Sequence, residues 1–177
     1  MRLDFRACGC AATEGDISDT MELSAPEAIE NQISLRPVGQ DNWRDVARLE
    51  VYDAQREFVS EPSSYLALCA YGEDWRPLAI VLQEKVIGFL MWSTDPADGS
   101  CWLGGLIIDK RMQRQGYGEA AVTAAISQLG QEHGYRDFAL SYLPNNAAAR
   151  SLYRKLGFAE TDEWEGAEIV VRLSLPE

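Results

Sequence analysis

The sequence predicts an α/β domain: a mixed, mostly antiparallel sheet with helices packed against it. Three observations carry that expectation. The apolar run Leu106, Ile107, Ile108, the charged Asp109, Lys110 and Arg111, and the glycines Gly116 and Gly118 read as a buried strand, a loop and a helix start. Ahead of it, Leu78 to Gln83 and Val86 to Ser93 meet at Glu84 and Lys85 with the spacing of a hairpin. After it, a helix leads to the alternating Phe138, Leu140 and Tyr142. A strand reached through a helical crossover lies parallel to the strand before it.

In chain order, residues 1 to 31 lack sustained periodicity and are rich in Asp, Glu, Ala, Ser and Thr, which predicts a disordered acidic extension. The domain then spans residues 32 to 177. Ile33, Leu35 and Val38 alternate as a first strand, and Asp41 offers an N-cap for a helix reaching Tyr52. Ser63 or Ser64 is placed to cap a second helix carrying Tyr65, Leu66, Leu68, Cys69 and Tyr71. The hairpin follows, and the strand Cys101 to Asp109 completes a meander. The helix from Gly116 has Gly130 and Gly134 as alternative stops. A short helix, Ala147 to Leu156, is stopped by Gly157. The chain finishes with a hairpin, Phe158 to Thr161 and Ile169 to Leu175, turning through Trp164, Glu165 and Gly166.

A chain of 177 residues, 46% hydrophobic and 25% charged, is long enough for one domain with a substantial core. Its formal net charge of -12 argues against a nucleic-acid partner, because phosphate contacts need a basic face, and suits cationic small molecules. No apolar run is long enough to span a bilayer, so no membrane partner is expected. Asp4, Arg6, Glu14 and Asp16 interrupt any signal-peptide core, making a cytoplasmic location the expectation. Cys8, Cys10, Cys69 and Cys101, with His133 as the single histidine, lack zinc-site spacing. No metal is expected, and Cys69 and Cys101 read as small core residues.

The loop before the long helix has the chemistry of an anion site. Glycines let main-chain N–H groups approach a ligand, the first helical turn leaves such donors unpaired, and the macrodipole adds positive potential. Lys110, Arg111 and Arg114 add cationic side chains. The spacing is not that of a P-loop. A dinucleotide fingerprint, with Ala121 as its third small residue, would need an acidic ribose partner that Phe138 to Tyr142 does not offer. One strand later, Asn146 stands at a helix entrance with Tyr153 about two turns on, so both can face one groove. Taken alone they also fit an N-cap and a half-buried core tyrosine.

Gln113, Gly116 and Gly118 match a Gln/Arg-x-x-Gly-x-Gly/Ala loop, and Asn146, Ala149, Leu152, Tyr153, Gly157 and Phe158 match a second motif, in the order and separation of the GNAT superfamily of N-acyltransferases. The chain resembles that superfamily from Ile33 to Leu175. The glycine loop and the ending around Gly157 to Val170 are similar to bacterial diamine and spermidine acetyltransferases. The resemblance implies a sheet splayed between strands four and five, with acetyl-CoA as co-substrate.

By the same resemblance, the CoA pyrophosphate would lie on the amides of Gln113, Arg114, Gln115, Gly116, Tyr117 and Gly118. The pantetheine arm would pair with Leu106, Ile107 and Ile108, Asn146 would hydrogen-bond the cofactor, and Tyr153 would protonate the departing thiolate. Gly104 and Gly105 invite a bulge in that strand. Leu103, Gly104 and Gly105 also occupy the positions where many members carry a carboxylate base. Asp53, Glu57 and Glu61 are left as candidate substrate carboxylates. The implied reaction is direct acetyl transfer to a primary amine, a small polyamine or related cation. A protein N-terminus, an amino acid, an antibiotic amine, or a CoA-sensing module without turnover are the alternatives. Family analogy adds a possible homodimer, with Trp164 as either a contact or a core aromatic.

Overall fold

The computed structural model describes residues 32–72 and 74–176. The acidic extension, with Cys8 and Cys10, lies outside them. Seven strands form one sheet: β1 (Ile33–Pro37), β2 (Arg76–Leu82), β3 (Lys85–Thr94), β4 (Cys101–Ile108), β5 (Asp137–Tyr142), β6 (Ala159–Glu165) and β7 (Glu168–Ser174). The helices are α1 (Trp43–Ala47), α2 (Pro62–Tyr71), α3 (Tyr117–His133) and α4 (Ala147–Lys155), with a 3-10 turn at Asp53–Gln55. The spatial order is β1-β2-β3-β4-β5-β7-β6. Every pairing is antiparallel except β4 with β5. The crossover through α3 makes that one pair parallel, as the order of elements predicts.

Strand alternation sends side chains to two cores. On one face Ile80, Ile87, Leu90, Leu103, Phe138 and Leu140 pack under α3, through Ala121, Val122, Ala125 and Leu129. On the other, Val81, Phe89, Met91 and Ile107 pack under Val46, Leu49, Tyr65 and Leu66 of the α1–α2 segment. Cys101 is fully buried and Cys69 half-buried, both free thiols. No described helix is long and apolar enough to cross a membrane.

Four element boundaries differ from the sequence expectation. α1 ends at Ala47 rather than Tyr52. The backbone of Glu50 instead joins the end of β4: Lys110 N–H donates to Glu50 O at 2.7 Å and Glu50 N–H to the Asp109 carboxylate at 3.4 Å. Asp41 does not cap it; Asn42 stands at the entrance, its side chain closing the turn by accepting from Gly39 N–H and donating to Pro37 O. α2 starts at Pro62, not after a serine cap, because proline at the first helical position needs no N–H partner. α3, by contrast, ends at the second of its two expected stops, Gly134, in the left-handed conformation with φ 78°. β6 continues to Glu165, so Trp164 belongs to an edge strand; at 58% exposure it is not a core aromatic.

Candidate active site

β4 and β5 hydrogen-bond in register only at Cys101 with Phe138 and Trp102 with Ala139. Beyond those pairs they part, so Leu106, Ile107 and Ile108 keep β3 on one side and present an unpaired backbone edge to the gap. The gap opens at a bulge. Phe89 pairs Ile107 and Met91 pairs Gly104, leaving Gly105 and Leu106 opposite Leu90 alone. Gly105 takes φ 62°, which glycine adopts without strain. A Cβ on Gly104 would stand 3.2 Å from the Trp75 ring. A side chain at Gly104 would crowd Trp75, and β4 carries no carboxylate.

The loop after β4 is shaped by Asp109. Its carboxylate accepts from Arg111 N–H at 3.0 Å and from the Arg111 guanidinium at 2.7 and 2.9 Å. These bonds, with Arg111 the largest cause, hold the buried carboxyl down at about 2. Lys110 pairs with Glu50 at 2.9 Å. Two of the three loop cations are therefore occupied by protein carboxylates. Arg114 alone of the three has none within ion-pair distance among the described residues. Arg114 and Gly116 take φ 62° and 86°, turning the chain so that α3 begins at Tyr117 without a side-chain cap. The amides of Gln113, Arg114, Gln115, Gly116, Tyr117 and Gly118 donate to no acceptor among the described residues. Such a row of free N–H groups at a helix N-terminus fits a pyrophosphate. The Gln113 side chain braces the loop, donating to Ile108 O and to Gln55 Oε1, both at 2.9 Å.

Asn146 caps α4 by accepting from Ala149 N–H at 3.1 Å. Tyr153, on the next turns, stacks beside Tyr142 with ring centroids 6.0 Å apart and meets Phe158 edge-on at 5.9 Å. Burial pushes its phenol well above the ordinary tyrosine value, and the nearby Glu168 and Tyr65 push it further. Both neighbours belong to the opposite face of the sheet. Tyr65 packs on Phe89 beneath α2 with centroids 6.0 Å apart, and its hydroxyl accepts from Ser60 N–H. The Tyr153 hydroxyl thus feels charge from groups on the other face of the sheet.

The three candidate substrate carboxylates are not gathered at that point. Asp53, with a fully exposed side chain, and Glu61 both pair with Arg56, at 3.3 and 2.8 Å. Glu57 is exposed and has no ion pair among the described residues. Of the three, Glu61 lines a cavity of about 290 Å³ beside Glu50, Arg56, Val59 and Ile107. The residues that sequence reasoning missed are Trp75, Tyr65, Ser141 and Glu168. The one available signal was Glu168, a lone carboxylate heading the apolar run Ile169, Val170, Val171.

The acetyltransferase (GNAT) family matches residues 43–158, and the chain belongs to that family. It has the fold of an N-acetyltransferase, with acetyl-CoA as co-substrate. A probable spermine N(1)-acetyltransferase from Bacillus subtilis subsp. natto is 25% identical over 148 residues, spanning 79% of this chain and 97% of that protein. Among solved structures, spermidine N-acetyltransferase from Vibrio cholerae, in complex with CoA and spermine, superposes with a TM-score of 0.63 at 18% identity, over 81% of this chain and 94% of that one. An acetyltransferase from Salmonella typhimurium that modifies the N-terminal serine of a ribosomal protein superposes at 0.58 and 15% identity, over 82% and 96% of the two chains.

Proposed function

We propose that the protein transfers the acetyl group of acetyl-CoA directly to a primary amine of a small polyamine or similar cation. The observation that carries the acceptor class is the similarity, over nearly the whole length of that relative, to a probable spermine N(1)-acetyltransferase. The net charge of -12 supports a cationic acceptor.

In this reading the amides from Gln113 to Gly118 and the Arg114 side chain hold the pyrophosphate. The unpaired edge of β4 at Leu106, Ile107 and Ile108 aligns the pantetheine arm, and Asn146 contributes its free amide donors beside it. A main-chain N–H of that edge polarises the thioester carbonyl and stabilises the tetrahedral oxyanion. Tyr153, kept protonated by its buried surroundings, gives its proton to the departing sulfur. No acyl-enzyme is required.

The test is CoA release by purified protein with acetyl-CoA and a panel of spermine, spermidine, diamines, amino acids, aminoglycosides and N-terminal peptides, with products identified by mass spectrometry. Turnover confined to polyamines and diamines is the expected result. Turnover only with peptides would move the acceptor to a protein N-terminus, and none with any amine would remove the enzymatic reading.

A further inference from the structure

The geometry points to Glu168 as the carboxylate that takes the proton from the acceptor amine, supplied across the gap from the strand that has lost its own. This rests on the acetyl-transfer reading above.

Glu168 opens β7, whose Ile169 pairs Tyr142 and whose Val170 pairs Ser141 of β5. Directly opposed residues of an antiparallel pair share a face, and so do residues two apart on one strand. Glu168, Val170 and Ser141 therefore share a face, and the Ser141 hydroxyl donates to Glu168 Oε2. That bond anchors a half-buried carboxylate on the β5 side of the gap. β4 and β5 run parallel from the Cys101–Phe138 pair. Continuing that register sets Ser141 level with Gly104, the position whose side-chain space Trp75 occupies. The carboxylate that β4 lacks is thus offered from the β5 side, where Ser141 holds it.

The surroundings of Glu168 fit a cationic guest. It forms no ion pair with any Lys, Arg or His among the described residues. Opposite it on β6 stands Glu165, which adds negative potential, and from β5 comes Ser141. The Tyr153 phenol on α4 lies near enough to feel its charge. Arg172, on the same face of β7, is held by Asp98 at 2.9 Å and Glu163 at 2.7 Å. The guest that satisfies an unpaired, half-buried carboxylate is an ammonium. Asp53, Glu57 and Glu61 lack this position.

The proton balance closes. The acceptor arrives as an ammonium, and Glu168 takes one N–H proton and passes it to solvent. The freed lone pair forms the N–C bond at the thioester carbonyl. The C–S electron pair leaves with sulfur, which takes the Tyr153 proton, and the second nitrogen proton restores the phenol as the amide forms.

The test compares Glu168→Gln with the wild type across pH, with spermine as acceptor. Glutamine still accepts from Ser141, so the fold has no reason to change, and thermal melting with the KM for acetyl-CoA monitors it. The expected result is a kcat/KM for spermine lower by ~100-fold near neutral pH. The gap should narrow as pH approaches the amine pKa near ~10, where the amine sheds its own proton. Ser141→Ala, which keeps the carboxylate but frees it, should lose about three- to tenfold with the wild-type pH profile. A Glu168→Gln rate within about threefold of wild type near neutral pH, or a loss of equal size at every pH, overturns the assignment while leaving the acetyltransferase intact. A wild-type protein that acetylates no amine overturns both.

Discussion

The two sides of the gap are made of different material. The donor side, from Asp109 to the first turn of α3, is backbone: unpaired amides, two positive-φ residues and a helix terminus, held by Asp109 and Gln113. The acceptor side is side chains, brought from α2, α4, β5 and β7 and from the segment before β2. Backbone geometry is set locally, by which residues tolerate a left-handed turn, so it suits the proposed task of holding the donor's pyrophosphate. Side chains from five places can change independently, and at Gly104 a side chain would crowd Trp75.

The sharpest way to break the comparison is Tyr153→Phe, which alters the one atom common to both sides. If the phenol donates to the leaving sulfur, kcat falls by ~100-fold or more while the KM for acetyl-CoA stays put, because the donor cradle is untouched. Steady-state kinetics against both substrates measures this. A kcat within about threefold of wild type would make Tyr153 a packing residue between Tyr142 and Phe158.

The donor side should fail instead through its scaffold. The Asp109 carboxyl titrates at about 2 against an ordinary value of 3.8. Its folded pKa is depressed, so its stabilisation is complete above about pH 4 and is lost as pH falls towards 2. The shift corresponds to at most about 2 kcal/mol, since Arg111, its main partner, is largely exposed. Denaturant unfolding of Asp109→Asn should show that deficit at pH 5, and the difference from wild type should close near pH 2. A deficit that does not change with pH would mean that Asp109 acts through the geometry of its bonds to the Glu50 and Arg111 amides rather than its charge.

The same contrast explains what was legible in the sequence. The strand order through β5, the parallel β4–β5 pair and the bulge at Gly105 all follow from local patterns: alternation, a helical crossover, two glycines in a strand. Gln113, Gly116 and Gly118 were visible because their spacing encodes the turn. Ser141 and Glu168 were not, since 26 residues and a helix separate them and neither matches a local pattern. Trp75 belongs to no local pattern, and only the fold shows its ring against Gly104. The pairing of Lys110 and Arg111 with Glu50 and Asp109 was hidden for a similar reason: Glu50 is distant in sequence, and Asp109 looked like part of a charged turn. Spacing identifies groups that act through their own backbone. Groups that act through partners brought by other strands need the three-dimensional register.

Gly116→Ala sharpens the donor half further. Its φ of 86° costs an L-residue roughly 1–2 kcal/mol, and relaxation of that strain turns the loop amides away from the anion. Acetyl-CoA affinity, read by calorimetry, should drop about tenfold, with kcat at saturating donor little changed. Gly118→Ala is its control. A Cβ there stands 3.8 Å from Ile108 and Leu152, so the fold accommodates it and little change is expected. An equal loss in both variants would locate the bound group against Gly118 rather than against the turn.

The smallest effect bears on how the acceptor arrives. Arg56 neutralises Asp53 and Glu61, and with Glu61 and Ile107 it lines the 290 Å³ cavity. Removing it in Arg56→Ala releases two carboxylates without touching Tyr153 or Glu168. If the cation enters past this cavity, KM for spermine should fall about two- to threefold at low salt, and the gain should vanish near physiological ionic strength, where screening acts over ~8 Å. Exposed pairs of this kind contribute well under ~1 kcal/mol, so stability should hardly move. The salt dependence separates steering from a new contact, because a direct bond to the released Glu61 would survive added salt. An unchanged KM at every ionic strength would place the entrance on the β6–β7 side of the gap, where Glu165 and Glu168 face each other.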